Sequence, residues 1–276
     1  MTSPTAFVFP GQGSQRIGML DTLPPTDGLA DLLTAASDCA GMPLGRIAAN
    51  GPDALLADTR AAQPLLLLAG WAWGRALVES GLTPAAVAGH SLGEITALVF
   101  AGALDIADAV RLVCERSRLM ADAAERVPGT MAAVIGMDAA TLHDAVSGLS
   151  GVWVANDNAP GQIVLSGTHV GIESATRALT GAGARKIVPL AVAGPFHSPL
   201  MAPAAEAFAE VLERTTFLDA RVPVYQNTSA APATDAAAIK ARLTAQITSP
   251  VRWTETMAAL LAGGIHTLVE AGPGAV

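Results

Sequence analysis

The sequence predicts an α/β protein with two lobes, one of which is inserted into the other. Two observations lead to this fold class. Short apolar runs typical of buried strands alternate along the chain with longer segments of helical periodicity. Between residues 131 and 190 the predicted order is strand, helix, strand, strand, helix, strand, which is the order of a ferredoxin-like unit. Because the ends of such a unit can lie close together, we expect a large lobe formed by residues 1–127 and 192–276 and an inserted lobe at 128–191.

The composition indicates a compact globular protein and argues against several other classes. Of the 276 residues, 51% are hydrophobic and 14% are charged, which allows a sizeable buried core. The formal net charge of −8 argues against nucleic acid as a main partner. The longest strongly apolar run, at residues 65–74, is too short to span a membrane. With no export signal visible and only Cys39 and Cys114 available for disulfides, we expect a cytoplasmic protein without membrane contact.

The first predicted strand, at residues 7–10, runs into a glycine-rich loop at residues 11–15. Two glycines bracket Gln12 and leave its backbone free to approach a ligand closely. The loop has neither the spacing of a phosphate-binding loop nor that of a Rossmann fingerprint. A plain strand-to-helix turn is the alternative interpretation. Helices of the large lobe are predicted at residues 26–39, 52–56, 63–80 and 106–124.

The central feature is a G-x-S-x-G motif at residues 89–93, between a predicted strand at 85–88 and a predicted helix at 94–100. Strand, sharp turn and helix are the context of a nucleophile elbow. In such an elbow the glycines permit the tight backbone, the Ser91 hydroxyl stands out of the sheet, and the amide of Leu92 faces a developing oxyanion. We therefore predict Ser91 as a nucleophile. A serine in a helix-capping turn is the alternative.

The other predicted elements belong to the inserted lobe and to the return of the chain into the large lobe. In the inserted lobe, strands are predicted at 131–136, 152–155, 162–166 and 185–190, and helices at 139–147 and 172–181. In the returning chain, helices are predicted at 203–214, 235–247 and 257–262, and strands at 222–226 and 266–270. A binding site would lie in the cleft between the two lobes.

A serine hydroxyl needs a base to take its proton, and His197 is the best placed of five histidines. It lies in a proline-bounded loop where the two lobes rejoin. His90 is adjacent to Ser91, where neighbouring side chains diverge, so it can tune the loop but is badly placed as a base. No orienting carboxylate is evident, and a backbone carbonyl could hold the ring of His197 instead, giving a Ser-His dyad. The remaining histidines are expected to be solvated or structural: His143, His169 and His266.

Several motifs follow one another in a fixed order along nearly the whole chain. They are FPGQGSQ at residues 9–15, GHSLGE at 89–94, Arg116, GPFHS at 194–198, Gln246 with PVRW at 250–253, and GPG at 272–274. In this combination the chain resembles the malonyl-CoA:acyl carrier protein transacylases, a family that includes the acyltransferase domains of polyketide synthases. The resemblance implies a hydrolase-like α/β lobe with a parallel-sheet core and an inserted ferredoxin-like lobe.

The resemblance also implies roles for individual residues around the motif. Ser91 matches the nucleophile and His197 the base of a Ser-His dyad. The oxyanion hole of the family is formed by two backbone amides, which match Gln12 and Leu92. The main-chain carbonyl that orients the histidine matches that of Gln246.

Binding of the acyl group is implied at a further set of positions. Arg116 matches the arginine that clamps the malonyl carboxylate, a task for which a planar, permanently charged guanidinium is suited. Phe196 resembles the bulky residue that limits substitution at the malonyl α-carbon, and with His90 it is expected to set substrate selectivity. Asn156 and Asn158 fall in a loop that lies near the cleft in relatives.

These roles together predict a malonyltransferase that moves malonyl from coenzyme A to the phosphopantetheine thiol of an acyl carrier protein through a Ser91 ester. The coenzyme A thioester is then a substrate, and neither a metal nor a permanently bound cofactor is expected. Two alternatives stay open: a serine esterase or thioesterase, which would have no use for Arg116, and a non-catalytic carrier-docking subunit of a larger synthase.

The pathway also stays open among fatty acid synthesis, polyketide assembly and malonate breakdown. The segment between Gln12 and Ser91 is short and is broken by prolines at residues 24 and 25. In this respect the chain is similar to the transacylases associated with malonate decarboxylase.

Overall fold

The computed structural model describes residues 4–274, which form two five-stranded sheets with helices around them. Residues 1–3 and 275–276, the outer ends of the predicted large lobe, lie outside the described residues. The strands are β1 (Thr5–Phe9), β2 (Ala86–Gly89), β3 (Thr130–Ile135), β4 (Val152–Ala159), β5 (Gln162–Gly167), β6 (Lys186–Pro189), β7 (Val224–Gln226), β8 (Ala231–Ala233), β9 (Val251–Arg252) and β10 (Thr267–Glu270). The α-helices are α1 (Leu29–Ala40), α2 (Leu44–Asn50), α3 (Asp53–Ala57), α4 (Thr59–Glu79), α5 (Gly93–Phe100), α6 (Ile106–Arg126), α7 (Ala139–Val146), α8 (His169–Gly181), α9 (Ala202–Arg214), α10 (Ala236–Gln246) and α11 (Trp253–Ala262).

The first sheet has the strand order β10-β1-β2-β7-β8. Its first four strands are parallel, and β8 is antiparallel to β7. Phe9 at the end of β1 lies opposite Gly89 at the end of β2. Because parallel strands end at the same edge of a sheet, this register brings the loop at 11–15 and the motif at 89–93 together.

Helices cover both faces of this sheet. On one face, Phe7, Phe9 and Val87 pack in one core with buried residues of α4, α5 and α6. On the other face, Ala88 packs with Leu260 of α11. The helix α4 is apolar on nearly all sides, which is typical of a helix buried within such a layer.

The second sheet has the strand order β6-β3-β5-β4-β9. The four strands predicted for the inserted lobe, β3 to β6, are antiparallel neighbours, and α7 and α8 pack on one face of them in a separate apolar cluster. The opposite face carries Met131, Ala133 and Val164, which belong to the core of the large lobe. The observed architecture is therefore the predicted α/β class with a parallel-sheet core and a ferredoxin-like second unit.

The structure differs from the sequence prediction in several elements. The helix α2 and the strands β8 and β9 were not predicted, and β4 continues through residues 156–159, which were predicted as a loop. The polar residues Asn156 and Asp157 stay in the strand because they pair with Val164 and Ile163 of β5 on one side and with β9 on the other. The pairing with β9 comes from 95 residues further along the chain, and a partner that distant leaves no local pattern. Across residues 4–274, every helix is too short or too polar to cross a membrane.

Candidate active site

Ser91 lies in a turn between β2 and α5, and this turn leaves no room for a side chain at Gly89 or Gly93. A Cβ added at Gly93 would lie 2.1 Å from the carbonyl oxygen of Phe9, and one added at Gly89 would lie 1.9 Å from the carbonyl of Gly93. The two glycines of the motif therefore serve a close approach of backbones. Ser91 itself has a φ of 51°, in the left-handed region that costs a residue with a side chain about 1–3 kcal/mol.

His197 reaches this turn from the loop that precedes the 3₁₀ turn Pro199–Met201. Its Nε2 is 2.8 Å from Oγ of Ser91. Its Nδ1 is 3.0 Å from the carbonyl oxygen of Gln246 and 3.2 Å from that of Ser249. Since a carbonyl oxygen can only accept, Nδ1 carries the proton of the neutral ring and Nε2 is left to accept the Ser91 hydroxyl.

The imidazole of His197 is held in its neutral form. Burial lowers its pKa, and the positive charge of Arg116 lowers it further, to about 3, against a smaller opposing effect of the hydrogen bond to Gln246. At neutral pH the ring is therefore free to take a proton from Ser91.

Arg116 comes to the same point from α6 and is fully buried. Its Nη2 donates to Oγ of Ser91 at 3.2 Å and to Oε1 of Gln246 at 2.9 Å, and its Nη1 donates to Oε1 of Gln63 at 2.7 Å. Within residues 4–274 its Nε has no partner. Burial lowers the pKa of Arg116 to about 10, partly offset by the charge of Glu94, so the guanidinium stays charged at neutral pH.

A buried guanidinium with an unused N–H next to a nucleophile can bind a carboxylate. Such a group costs free energy unless an anion pairs with it, and its planar fork suits two carboxylate oxygens. The other arginines of α6 differ in this respect. Arg111 and Arg118 are exposed and pair with carboxylates on their own helix.

Glu94, on the first turn of α5, is a second buried ionisable side chain. Its Oε2 accepts from the backbone amide of Asn227 at 2.7 Å, and its Oε1 accepts from Nε2 of Gln226 at 3.1 Å. Burial raises the pKa of Glu94, while these hydrogen bonds and the charge of Arg116 act in the opposite direction. The carboxyl group thus ties the end of β7 to the helix that follows the motif.

Gln12 lies in the loop after β1, and Leu92 directly follows Ser91. Both line the cleft, and the structure gives neither backbone amide an acceptor within residues 4–274. The side chain of Gln12 is 3.4 Å from Oγ1 of Thr59, which anchors the loop to α4. A Cβ added at Gly11 would lie 2.5 Å from the carbonyl oxygen of His90, so the loop rests directly on the motif. Two free amides at this place can stabilise an oxyanion.

The cleft between the two sheets has a volume of about 460 Å³ and a mixed polar and apolar lining. Nε2 of His90 lies 2.8 Å from Oδ1 of Asn158 and 3.4 Å from Nδ2 of Asn156, on the wall formed by β4. The ring of His90 is edge-on to Trp253 at 5.5 Å, and burial lowers its pKa. Phe196 also lines the cleft, next to His197.

The ten residues predicted for the site lie on this cleft or touch a residue that does. The structure brings them together from both sheets, and their chemical roles stay predictions. The histidines expected to be solvated or structural are all exposed, at His143, His169 and His266.

Sequence reasoning missed several side chains of the site. Gln63 could have been found, because it is the only hydrogen-bonding residue in the buried run 61–70 of α4, and such a residue indicates a buried partner. Asn227 and Ser249 follow no pattern and lie in short turns. Glu270 lines the cleft at the end of β10, where burial raises its pKa, and no motif marks it.

Comparison with known proteins gives the family. The family described as the acyl transferase domain matches residues 6–276. The chain is 44% identical over 282 residues to a malonyl CoA-acyl carrier protein transacylase of Bacillus subtilis, with 99% of this chain and 88% of that protein covered.

Solved structures agree. The fold is similar, with a TM-score of 0.92 and 40% identity, to a chain in the complex of a type II polyketide synthase acyl carrier protein with its malonyl-transacylase, covering 99% of this chain and 90% of that one. An acyl-carrier-protein S-malonyltransferase from Burkholderia pseudomallei gives a TM-score of 0.91 at 41% identity, covering 98% and 90%. With the matches extending over nearly its whole length, the chain belongs to the malonyl-CoA:acyl carrier protein transacylase family of acyl transferases.

Proposed function

We propose that this chain transfers a malonyl group from coenzyme A to the phosphopantetheine thiol of an acyl carrier protein through an ester on Ser91. The observation that carries the proposal is the position of the buried Arg116, whose Nη2 is 3.2 Å from the same Oγ that lies 2.8 Å from His197. A nucleophile, a base and a carboxylate-binding group thus meet at one atom. The names of the relatives, which include malonyl transfer and the carrier protein, support the substrates.

In the first half-reaction, Nε2 of His197 takes the hydroxyl proton as Oγ of Ser91 attacks the thioester carbonyl. The developing oxyanion is stabilised by the amides of Gln12 and Leu92. The imidazolium is stabilised through Nδ1 by the carbonyl of Gln246 and then protonates the departing thiolate of coenzyme A. The product is a malonyl ester on Ser91.

In the second half-reaction, the thiol of the carrier protein takes the place that coenzyme A has left. His197 removes the thiol proton, the thiolate attacks the ester carbonyl, and the proton returns to Oγ of Ser91 as the ester bond breaks. The two halves use the same groups in opposite order. Every step relies on groups of this chain, and we propose no permanently bound cofactor.

Selectivity for malonyl follows from the cost of leaving Arg116 without a counter-ion. Pairing of the guanidinium with a free carboxylate in the cleft favours malonyl over an uncharged acyl chain by about 2–4 kcal/mol. Phe196 and His90 would bound the space at the α-carbon, and Asn156 and Asn158 would form the opposite wall.

We further propose that the catalytic cleft separates a large lobe, at residues 1–127 and 192–276, from an inserted lobe at 128–191. The positions of β3 to β6 within residues 130–189 support this division. We place the activity in the cytoplasm, the compartment of its proposed coenzyme A substrate.

The test is to mix the protein with malonyl-coenzyme A and follow adduct formation by intact mass spectrometry. We expect a malonyl adduct on Ser91, its absence in Ser91→Ala, and its transfer to added holo acyl carrier protein. Release of free malonate as fast as coenzyme A, without an adduct, would instead identify an esterase. Absence of labelling by both malonyl-coenzyme A and a serine-directed fluorophosphonate would favour the alternative of a non-catalytic docking subunit.

The same assay with Arg116→Ala tests the selectivity. We expect malonyl loading to fall roughly 30- to 1000-fold, the range that corresponds to 2–4 kcal/mol, while acetyl loading changes little. Arg118→Ala on the same helix is the matched control, because Arg118 is about half exposed and points away from the cleft into ion pairs with Glu115 and Asp122. An equal loss of malonyl and acetyl loading in Arg116→Ala would remove this role.

A further inference from the structure

We propose that Asn227 is a positioning residue for the nucleophile, and that its side-chain amide holds the Ser91 turn in its strained conformation. The inference rests on the proposed function only in taking Ser91 as the nucleophile. Asn227 directly follows β7 and is fully buried. Its Oδ1 accepts from the backbone amide of Ser91 at 2.7 Å, and its Nδ2 donates to the carbonyl of Gly89 at 2.7 Å. One planar amide therefore binds the chain on both sides of His90.

The side-chain amide of Asn227 lies where the pairing between β2 and β7 ends. β2 and β7 pair in parallel at Val87 with Val224 and at Ala88 with Tyr225, and the pairing stops there. The carbonyl of Gly89, the last residue of β2, and the amide of Ser91, in the turn that follows, lie just beyond this pairing. The side chain of Asn227 supplies these two groups with the partners that a neighbouring strand would otherwise supply.

The orientation of this amide is fixed by its surroundings. A flipped amide would set its oxygen against the Gly89 carbonyl and its NH₂ against the Ser91 amide, which places like groups together. A second donor confirms the side on which the oxygen lies, because Nε2 of Gln246 is 3.4 Å from Oδ1 of Asn227 and also donates to the carbonyl of Ser91 at 3.1 Å.

The backbone of Asn227 is held as firmly as its side chain. Its amide donates to Oε2 of Glu94 at 2.7 Å, and its carbonyl accepts from the amide of Arg252 at 3.1 Å. Arg252 belongs to the segment that also contains Gln246 and Ser249, whose carbonyls hold the ring of His197. Asn227 thus connects the turn that carries the nucleophile with the segment that orients its base.

Asn227 does not line the cleft and is not placed to touch a substrate. Its removal should therefore act through the geometry of the Ser91 turn and its hydrogen-bonded neighbours, and not through a lost contact with substrate. Without the amide, the Ser91 N–H loses its partner and φ can relax from 51°, which shifts Oγ relative to Nε2 of His197. Such a displacement slows the bond-forming step and leaves the binding of the reagent nearly unchanged.

The experiment is the labelling of Ser91 by a neutral fluorophosphonate, followed to saturation in the wild-type chain and in Asn227→Ala and Asn227→Asp. For Asn227→Ala we expect the maximal labelling rate constant to fall roughly 10- to 100-fold, with the half-saturating concentration and the final stoichiometry unchanged. Asn227→Asp keeps an acceptor for the Ser91 amide but sets a second oxygen against the Gly89 carbonyl, so its rate constant should fall as well.

Phe208→Leu is the control for a general loss of stability, because Phe208 is fully buried on α9 in the core of the large lobe, outside the set of residues that forms the site. It should label at the wild-type rate constant. A wild-type rate constant in Asn227→Ala, a loss confined to its stoichiometry, or an equal slowing in Phe208→Leu would each overturn the inference. Because fluorophosphonate labelling does not require malonyl, a wild-type chain that labels but does not load malonyl would contradict the proposed function and leave this test intact.

Discussion

Ser91 and His197 share an uncommon backbone conformation. Neither is a glycine, yet φ is 51° at Ser91 and 57° at His197. Each is held there by contacts that only the folded chain offers: the amide of Ser91 donates to Asn227, and the ring of His197 donates to the carbonyl of Gln246. Strain at two residues whose side chains meet at 2.8 Å is the arrangement expected where geometry serves function at a cost to stability.

The low pKa of His197 predicts an unusually acid-tolerant nucleophile. A base acts in its neutral form, and a pKa lowered to about 3 by burial and by Arg116 extends that form into acidic solution. We expect the rate constant for fluorophosphonate labelling of Ser91 to stay constant from about pH 8 down to about pH 5. A histidine at its ordinary pKa near 6.5 would retain only about 3% of that rate at pH 5.

Two substitutions of Arg116 test how much its charge lowers the pKa of His197. Arg116→Ala removes a positive charge and should raise the pKa of His197, so the acid limb of the labelling profile moves towards neutral pH. Arg116→Lys keeps the charge and should leave the limb close to that of the wild type. A wild-type limb that already begins near pH 6.5 contradicts the prediction.

The same pKa shift has a consequence for stability. Between about pH 6.5 and pH 3 the unfolded chain binds a proton at residue 197 that the folded chain does not, so the contribution of His197 to the free energy of unfolding falls as the pH falls.

At the scale of residues, the sequence predicted the side chains that belong to a motif and missed those that serve as partners. Ser91 follows from its glycine spacing, and His197 from its place in a proline-bounded loop. The spacing of α6 could not separate Arg116 from the other arginines of that helix, and only the resemblance to the family assigned it. Asn227 carries no signal at all, because its importance depends on a turn 136 residues away.

At the scale of elements, the junction of β2 with α5 depends on backbones in contact. Phe9 cannot retreat from Gly93, because its carbonyl also accepts from the amide of His90 at 2.9 Å and its strand lies inside the sheet. Gly93→Ala should therefore lower the free energy of unfolding by more than about 2 kcal/mol, as overpacking against fixed atoms does. Urea denaturation measures the change.

Gly181→Ala is the matched control. Gly181 ends α8, a Cβ there would meet no atom within 4 Å, and its φ is outside the left-handed region. Its substitution should leave the free energy of unfolding unchanged or raise it by up to about 1 kcal/mol. Equal losses of unfolding free energy in the two variants would show that the contact between Gly93 and the Phe9 carbonyl does not exclude a side chain at residue 93.

Most elements could be predicted, because their periodicity is local. The long helices α4 and α6 and the strands of the inserted lobe have clear patterns, and the structure places them within a few residues of the prediction. The strand β9 is different. Its two residues form a strand only because they lie along the outer edge of β4, and a pairing between residues 95 positions apart leaves no local pattern.

At the scale of the whole molecule, the cleft has one wall from each sheet, and its width depends on how the sheets are joined. Near the site, residues outside 128–191 are held to β4 at three places: β9 pairs with it, His90 contacts Asn158, and Oγ1 of Thr254 donates to Oδ1 of Asp157 at 2.6 Å. A ligand that touches both walls binds only when the walls are at the right separation. Weakening one of these contacts therefore lowers the fraction of molecules that can bind the ligand.

Thr254→Val tests this dependence, since it removes the hydroxyl and keeps the volume. Loss of one hydrogen bond costs about 1 kcal/mol, which corresponds to a shift of up to roughly fivefold in an equilibrium between closed and looser arrangements. We expect the half-saturating concentration of malonyl-coenzyme A to rise about two- to fivefold. The fluorophosphonate labelling rate constant should stay unchanged, because Ser91 and His197 both lie on the same wall of the cleft. Thr176→Val makes the same chemical change on α8, where the hydroxyl bonds only to its own helix at Ile172, and should alter neither quantity. If the half-saturating concentration stays constant in Thr254→Val, the other two joins suffice to set the width of the cleft, and the Thr254–Asp157 bond has no part in substrate binding.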